Sequence, residues 1–276
     1  MKLARIAHGG GISWATPDGN GLLHLIDEAA SIAALRGHRA AGTGSPAAAL
    51  DPRSVTLLPP LLPSANVYCI GLNYKSHVEE TARDLPPQPS VFVRVQQSLV
   101  GHGQDLERPR ASTHFDYEGE LAIVIGKPGR HVRAEDALGH VGGLSCFNDG
   151  SVRDFQKHSV TAGKNFARSG ACGPFVVTAD EVPDPATLML TTRLNGLVVQ
   201  QSSTGLLIYS IPTIISYLSS FVTLQTGDVI ATGTPAGVGA RRTPPLWMKP
   251  GDRVEVEIEG VGLLSNCVVQ EADSAQ

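Results

Sequence analysis

Two glutamates separated by one glycine stand at the start of an apolar run, and this arrangement constrains the fold more than any other feature. Glu118 and Glu120 precede residues 121–125, LAIVI, a composition that predicts a buried strand. Because side chains alternate along a strand, both carboxylates point the same way, roughly 7 Å apart at Cα. Like charges there repel each other and are costly to bury. The pattern predicts either a hard divalent cation, which prefers oxygen ligands, or an exposed edge strand.

Composition excludes several classes of protein. The chain has 276 residues, of which 42% are hydrophobic and 17% charged, as in soluble globular proteins with a large core. The net charge of −4 gives no reason to expect a nucleic-acid or anionic-membrane partner. No apolar run reaches the ~20 residues that span a bilayer, and the first residues lack the apolar core of a secretory signal. The cysteines form no C-x-x-C pair, so we expect reduced thiols in a cytoplasmic protein.

Prolines divide the chain into two predicted domains. Residues 57–63 read LLPPLLP, and prolines at this density exclude helix and central strand. An apolar strand is predicted immediately afterwards, at residues 66–71. We therefore predict a small N-terminal domain at residues 1–62 and a main domain at residues 63–276.

Signals for strands outnumber those for helices in the main domain. Apolar residues alternate over 188–194, and the Asn195-Gly196 pair that follows is the strongest short hairpin signal. Alternation over 254–259 indicates a strand with one face in water. One helix is predicted from the apolar spacing in 211–222. We predict an α+β fold, mainly β, with largely antiparallel strands and a few helices.

A histidine and a glutamate are expected to share one face of a short helix. Asn73 is a plausible N-cap, and the ten residues after it contain neither Gly nor Pro. His77 and Glu80 are then at i and i+3 and lie side by side. A carboxylate that orients an imidazole fixes its tautomer and makes it a better base for activating water. The alternative is a solvated pair on the helix surface.

Three further residues are candidates for chemistry. Asp149 follows an apolar segment, where it is either a third oxygen ligand or a turn aspartate. Lys164 follows a glycine and either stabilises an oxyanion or is a surface lysine. The glycine-rich loop 230–239 lacks the Lys-Ser/Thr of a phosphate loop. Its turns could place Thr234 and backbone amides against a small anionic ligand.

Taken together, five segments resemble the fumarylacetoacetate hydrolase family over about residues 66–270. The resemblance rests on ordered motifs, which are G-L-N-Y-x-x-H-x-x-E at 71–80, D-Y-E-G-E-L-A at 116–122, N-D-x-S-x-R-D-x-Q at 148–156, G-K-N-F at 163–166 and T-G-T-P-x-G-V-G at 232–239. Five motifs in the family's order are far more specific than any one of them.

The resemblance implies a mixed β-sandwich roll, a homodimer and one Mg²⁺ or Mn²⁺ per subunit. It also implies roles for individual residues. The metal ligands are Glu118, Glu120 and Asp149; the water-activating pair is His77 and Glu80; Lys164 and Thr234 lie around the reacting oxyanion and carboxylate; Gln156 contacts substrate.

The chain departs from the common family pattern at two positions. Arg94 stands where lysine is frequent, and Ala167 stands where aspartate is frequent. The planar guanidinium of arginine can donate two parallel hydrogen bonds to one carboxylate. Arg94 is therefore predicted to contact a second carboxylate of the substrate, unless it instead bonds backbone carbonyls beneath the lid that carries His77.

The resemblance and the candidate residues together indicate a metal-dependent hydrolase. The expected reaction cleaves a C–C bond in a β-diketo acid of the acylpyruvate type, such as fumarylpyruvate or a related intermediate of aromatic-compound catabolism. Isomerisation, decarboxylation or tautomerisation of a hydroxymuconate-type or oxo acid uses the same chemistry and stays open. A non-catalytic, metal-dependent dicarboxylate binder is the third alternative, although a binder has no need of the His77–Glu80 pair.

Overall fold

A computed structural model of the chain describes residues 1–38, 49–82, 84–182 and 184–273. Its strands are β1 (Lys2–His8), β2 (Gly11–Pro17), β3 (Leu23–Ile26), β4 (Thr56–Leu58), β5 (Val67–Gly71), β6 (Ser90–Arg94), β7 (Leu99–Val100), β8 (Leu106–Arg108), β9 (Phe115–Asp116), β10 (Gly119–Ile125), β11 (Val141–Asn148), β12 (Ser151–Val152), β13 (Gly170–Thr178), β14 (Met189–Leu194), β15 (Leu197–Ser203), β16 (Val229–Ala231), β17 (Arg253–Ile258) and β18 (Gly262–Gln270). Its α-helices are α1 (Glu28–Leu35), α2 (Lys75–Thr81), α3 (Arg153–Gln156), α4 (Val160–Lys164) and α5 (Ile211–Ser219). The mainly β, α+β class is confirmed. Within the described ranges, no helix is both long and apolar enough to cross a bilayer.

Two sheets pack face to face. The larger has the order β3-β2-β1-β13-β11-β10-β16-β5-β6, with β4 on β1 and β7 on β13. The smaller has the order β15-β14-β17-β18-β8 and packs on β10, β11 and β13. The short segment 95–98 links the edge strand β6 to β7, which pairs near the middle of the same sheet. The larger sheet must therefore curl, and the sandwich becomes a roll.

Strand β10 lies at the centre of this roll, and every residue in it is buried. Leu121 and Ile123 belong to the core shared with the smaller sheet, whereas Ala122 and Val124 belong to the core on the opposite face. Gly119 faces the smaller sheet, where a Cβ atom would lie 2.0 Å from the hydroxyl of Thr192. Only glycine fits there, and by alternation the glutamates on either side of it point to the other face.

The N-terminal residues extend the larger sheet. Strand β1 pairs with β13 through Lys2 and Val177, and α1 packs on β11. The proline-rich connector begins later than the sequence indicated, because Thr56–Leu58 forms β4 against β1. The boundary at residue 62 stays a prediction.

Several local predictions are confirmed. The hairpin β14–β15 turns at Asn195 and Gly196, both with positive φ, and β17 buries its valines while Glu257 is exposed. Helix α5 begins after Ser210, whose hydroxyl accepts from the amide of Thr213. Asn73 is not the cap of α2; that position is Tyr74, without a side-chain cap bond.

Candidate active site

The candidate residues converge because the start of β10 and the ends of β5, β11 and β16 lie at one edge of the larger sheet. Strand β11 runs antiparallel to β10, so it ends where β10 begins. Strand β16 is also antiparallel to β10, and β5 is parallel to β16, so both end at that edge too. Helix α2, which follows β5, carries His77, and the loops after β11 and β16 carry Asp149 and Thr234. Together with the start of β10 they enclose a cavity of about 390 Å³.

Three carboxylates form the base of this cavity. Glu118, Glu120 and Asp149 are buried, and one oxygen from each lies within 4.8 Å of the others. The predicted shared face of Glu118 and Glu120 is thus consistent with the structure, which also brings Asp149 beside them. A cluster made only of carboxylate oxygens is the donor set that Mg²⁺ and Mn²⁺ prefer.

Each carboxylate is also held from outside the cluster by one donor. Arg153 Nη2 lies 2.6 Å from Glu118 Oε1, Arg94 Nη1 donates to Asp149 Oδ1 at 2.6 Å, and the amide of Gly233 donates to Glu120 Oε2 at 2.7 Å. These donors fix the rotation of each carboxylate and leave its other oxygen to the cluster. Outer partners of this kind orient metal ligands in proteins.

Lys164 is buried inside the cluster. Its ammonium donates to Glu118 Oε2 at 2.5 Å and to Asp149 Oδ2 at 2.6 Å. Burial lowers its pKa, but Asp149 and Glu118 outweigh burial and raise it. The lysine therefore stays charged, and its third N–H donates to the carbonyl of Asp149 at 3.0 Å, so it braces the carboxylates and has only its charge to offer an oxyanion.

The charges of the cluster are unevenly compensated. Burial raises the pKa of Glu118, yet Arg153 and Lys164 bring it down to about 2. Burial, Asp149 and Glu118 all raise the pKa of Glu120, and it ends well above its usual range. Lys164 lowers the pKa of Glu120 but does not offset these effects, so Glu120 is the carboxylate whose negative charge the protein compensates least. A hard dication would supply the missing positive charge, so the residues present fit the metal that the resemblance implies.

His77 and Glu80 form the expected pair above the cluster. His77 Nδ1 lies 2.7 Å from Glu80 Oε1, and the second oxygen of Glu80 accepts from the amide of Gly237 at 2.9 Å. Glu80 is therefore fixed at both oxygens, and it fixes the imidazole in turn. Among the described residues, His77 Nε2 has no hydrogen-bond partner, so it is the nitrogen available for proton transfer.

Asn73 secures the helix that carries this pair. Its side-chain amide donates to the carbonyls of Thr232 and Tyr209 at 2.8 and 3.0 Å, and its oxygen accepts from the amide of Tyr209 at 2.7 Å. The side chain that sequence reasoning assigned to helix capping instead joins α2 to two distant segments. These bonds place His77 over the carboxylates.

The structure brings most of the predicted site residues to the cavity wall. The residues that line it include His77, Glu118, Glu120, Asp149, Gln156, Lys164 and Thr234. Glu80 stands behind His77. Thr234 already donates to the carbonyl of Gly119 and accepts from Gln200, so its hydroxyl supports the start of β10 as well as lining the cavity.

Two residues that sequence reasoning did not assign form the support of the site. Asp116 is fully buried, accepts from the amides of Gly239 and Ala240 at 2.8 and 3.0 Å, and accepts from Arg153 Nε at 2.8 Å. Arg153 then reaches Glu118. Both residues lie within the motifs. The amides at 239–240 that hold Asp116 are distant in the sequence, so the sequence pattern does not reveal this arrangement.

Arg94 does not line the cavity, so its prediction as a substrate contact is not supported. Its side chain is 0% exposed and lies behind Asp149. The guanidinium donates to Asp149, to the carbonyl of Gly150, and to the hydroxyls of Ser98 and Ser169. The alternative considered for Arg94, an arginine that braces the backbone, is closer to what the structure shows.

Replacing Arg94 by methionine should destabilise the protein by up to about 3–5 kcal/mol, because it removes one of the two cations that compensate the buried carboxylate of Asp149 and leaves Lys164 as the other. Arg94→Lys keeps the charge and should cost less. Urea unfolding in EDTA measures both, and Arg193→Lys, at an exposed pair with Glu257, is the control. Equal stability of Arg94→Met and the wild type would contradict the structural role of Arg94.

A family profile described as fumarylacetoacetate (FAA) hydrolase C-terminal matches residues 66–269. The chain belongs to the fumarylacetoacetate hydrolase family. A human mitochondrial oxaloacetate tautomerase is 42% identical over 223 residues, which are 79% of this chain and 71% of that protein.

Solved structures show the same fold. A 2-hydroxyhepta-2,4-diene-1,7-dioate isomerase from Mycobacterium marinum is 34% identical, with a TM-score of 0.81 over 99% of this chain and 100% of that chain. A maleylpyruvate hydrolase from Sphingobium sp. SYK-6, in complex with manganese(II) and pyruvate, is 30% identical, with a TM-score of 0.81 over the same shares. Members of the fumarylacetoacetate hydrolase family that resemble this chain thus bear the names of three different reactions.

Proposed function

We propose that the protein is a divalent-cation-dependent hydrolase that cleaves a C–C bond in an acylpyruvate-type β-diketo acid. The observation that carries the proposal is the His77–Glu80 pair, which is fixed beside a cluster of three buried carboxylates in one cavity. A pair that presents one ring nitrogen and orients the other is the arrangement that a general base requires. A homodimer with one cation per subunit is part of this proposal.

The residues divide the chemistry between them. A bound Mg²⁺ or Mn²⁺ would supply Lewis-acid catalysis to the 2-oxo acid group. His77 Nε2 takes a proton from water, and the water oxygen forms a bond to the distal carbonyl carbon. Lys164, whose three N–H groups donate to Glu118 and Asp149, would stabilise the negative charge that develops through its positive charge. The C–C bond then breaks, which gives a carboxylic acid and the enolate of pyruvate, and His77 returns its proton to the enolate carbon.

Keto–enol tautomerisation of an oxaloacetate-type acid is a second candidate. The specific observation in its favour is the 42% identity with the human oxaloacetate tautomerase. The same base would then move a proton between carbon and oxygen without attack by water. Fold and carboxylate cluster are equally suited to both reactions.

Product analysis separates the candidates. The purified protein is treated with EDTA, reloaded with Mg²⁺ or Mn²⁺, and offered acylpyruvates, hydroxymuconates and oxaloacetate. We expect no turnover in EDTA and two acids from an acylpyruvate after reloading. An unchanged mass with a lost enol absorbance would indicate tautomerisation or isomerisation, and CO₂ would indicate decarboxylation. Full activity in EDTA would contradict the proposal.

A further inference from the structure

The lysines and arginines that line the cavity fall into two groups. Arg153 and Lys164 are held by carboxylates at distances of 2.5–2.8 Å. Lys157 and Arg241 line the same cavity but are exposed at its rim. Within the part of the chain that the structure describes, neither of these two side chains has a hydrogen bond or an ion pair. The rim therefore carries two positive charges that the protein itself does not neutralise.

One buried carboxylate bonds to both of the segments that carry the rim cations. Asp116 accepts from Arg153 on α3 and from the amide of Ala240 in the 3₁₀ helix Gly239–Arg241. Lys157 follows Arg153 by four residues at the end of α3, so the two side chains share a helix face. Arg241 directly follows Ala240. The two cations thus extend from two segments that Asp116 ties together.

The cavity is also larger in volume than the smallest candidate substrate requires. A four-carbon 2-oxo diacid has about nine non-hydrogen atoms. Even at roughly 30 Å³ each, the share of one water molecule in the liquid, they occupy only about 270 Å³, against the 390 Å³ present. Trp247, Val160 and Val238 line the remaining wall and offer apolar contact to a carbon chain.

We propose that Lys157 and Arg241 form a second subsite, which binds a carboxylate at the end of the substrate remote from the three-carboxylate cluster. The substrate class is then a 2-oxo acid of more than four carbons with a carboxylate at both ends. This rests on the proposed function in one respect, that the oxo-acid end of the substrate binds at the cluster. Asp154 also lines the cavity, but its carboxylate accepts from the hydroxyl of Ser112 at 2.7 Å and lies 3.7 Å from His114 Nδ1, and among the described residues it forms no ion pair with Lys157 or Arg241.

The kinetic test compares two acylpyruvates of equal length, one ending in a carboxylate and the other in a methyl group. In the Lys157→Gln/Arg241→Gln double variant, KM for the diacid should rise about 10–100-fold, the effect of losing a charge-assisted contact. KM for the monoacid and both kcat values should change less than twofold. Arg193→Gln removes one positive charge from an exposed ion pair outside the cavity and should change neither KM.

A binding test is independent of the reaction. Calorimetry with Mg²⁺ present compares 2-oxoadipate with 2-oxohexanoate, neither of which contains the β-diketone required for hydrolysis. Tighter binding of 2-oxoadipate that disappears in the double variant supports the subsite, even if no acylpyruvate is hydrolysed and the proposed function fails. Equal binding of the two acids by the wild type, or no binding of either, overturns it. An equal rise in KM for both acylpyruvates in the double variant also overturns the subsite, because it would indicate a general electrostatic effect.

Discussion

The His77→Ala variant should lose about 10²–10⁴-fold in kcat, the usual contribution of a general base. The imidazole is nearly buried, lines the cavity, and is oriented by Glu80 at 2.7 Å. It contacts none of the three carboxylates through a hydrogen bond within the described residues, so the affinity for Mn²⁺ should stay within about twofold. Steady-state kinetics and calorimetric titration with Mn²⁺ measure the two quantities separately.

Glu80→Gln tests the second half of this pair. Glutamine keeps the shape of the side chain but removes the negative charge that holds the imidazole, so kcat should fall by less than in His77→Ala. Lys75→Gln is the control on the same helix, since Lys75 is exposed and, among the residues that the structure describes, forms an ion pair with Glu79 alone. If Mn²⁺ binding collapses in His77→Ala while turnover per bound cation stays normal, His77 is a ligand and its assignment as a base is wrong.

Local periodicity made part of the site predictable. The alternation of a strand is enough to put Glu118 and Glu120 on one face, and the spacing of a helix is enough to put His77 beside Glu80. The hairpin at Asn195 follows from turn chemistry alone. In each case the interacting residues lie within four positions of one another, so the geometry of one element determines the outcome.

The remaining features depend on how distant segments meet. Arg94 lies behind Asp149 because the sheet curls between β6 and β7, and a pattern of neighbouring residues carries no information about that closure. Asparagine is a common helix cap, but the side chain of Asn73 forms hydrogen bonds with the backbone of Tyr209 and Thr232 instead. Such contacts are tertiary, and they override local preference.

The Glu120→Gln variant should lose more than about 100-fold in affinity for Mn²⁺, since removing even an outer partner of a metal ligand costs about 10–100-fold. In the cation-free protein, by contrast, the Glu120→Gln substitution should leave the fold equally stable or make it more stable. Glu120 is the carboxylate whose pKa is raised by burial and by its two acidic neighbours. A neutral amide of the same shape removes that repulsion, and its oxygen can still accept from the amide of Gly233, as Glu120 does at 2.7 Å.

The order of thermal stability of the wild type and Glu120→Gln should therefore reverse when Mn²⁺ is added. In EDTA, Tm of Glu120→Gln should equal or exceed that of the wild type, by about 2–4 °C for each kcal/mol of relieved repulsion. With Mn²⁺ in excess, the wild type should become the more stable protein, because a ligand that binds only the folded state stabilises it in proportion to RT ln(1 + [L]/Kd). Glu257→Gln, at an exposed position on β17, should show no reversal. Unchanged Mn²⁺ affinity in Glu120→Gln would place the cation elsewhere, and a lower Tm in EDTA would show that the fold needs the Glu120 carboxylate itself.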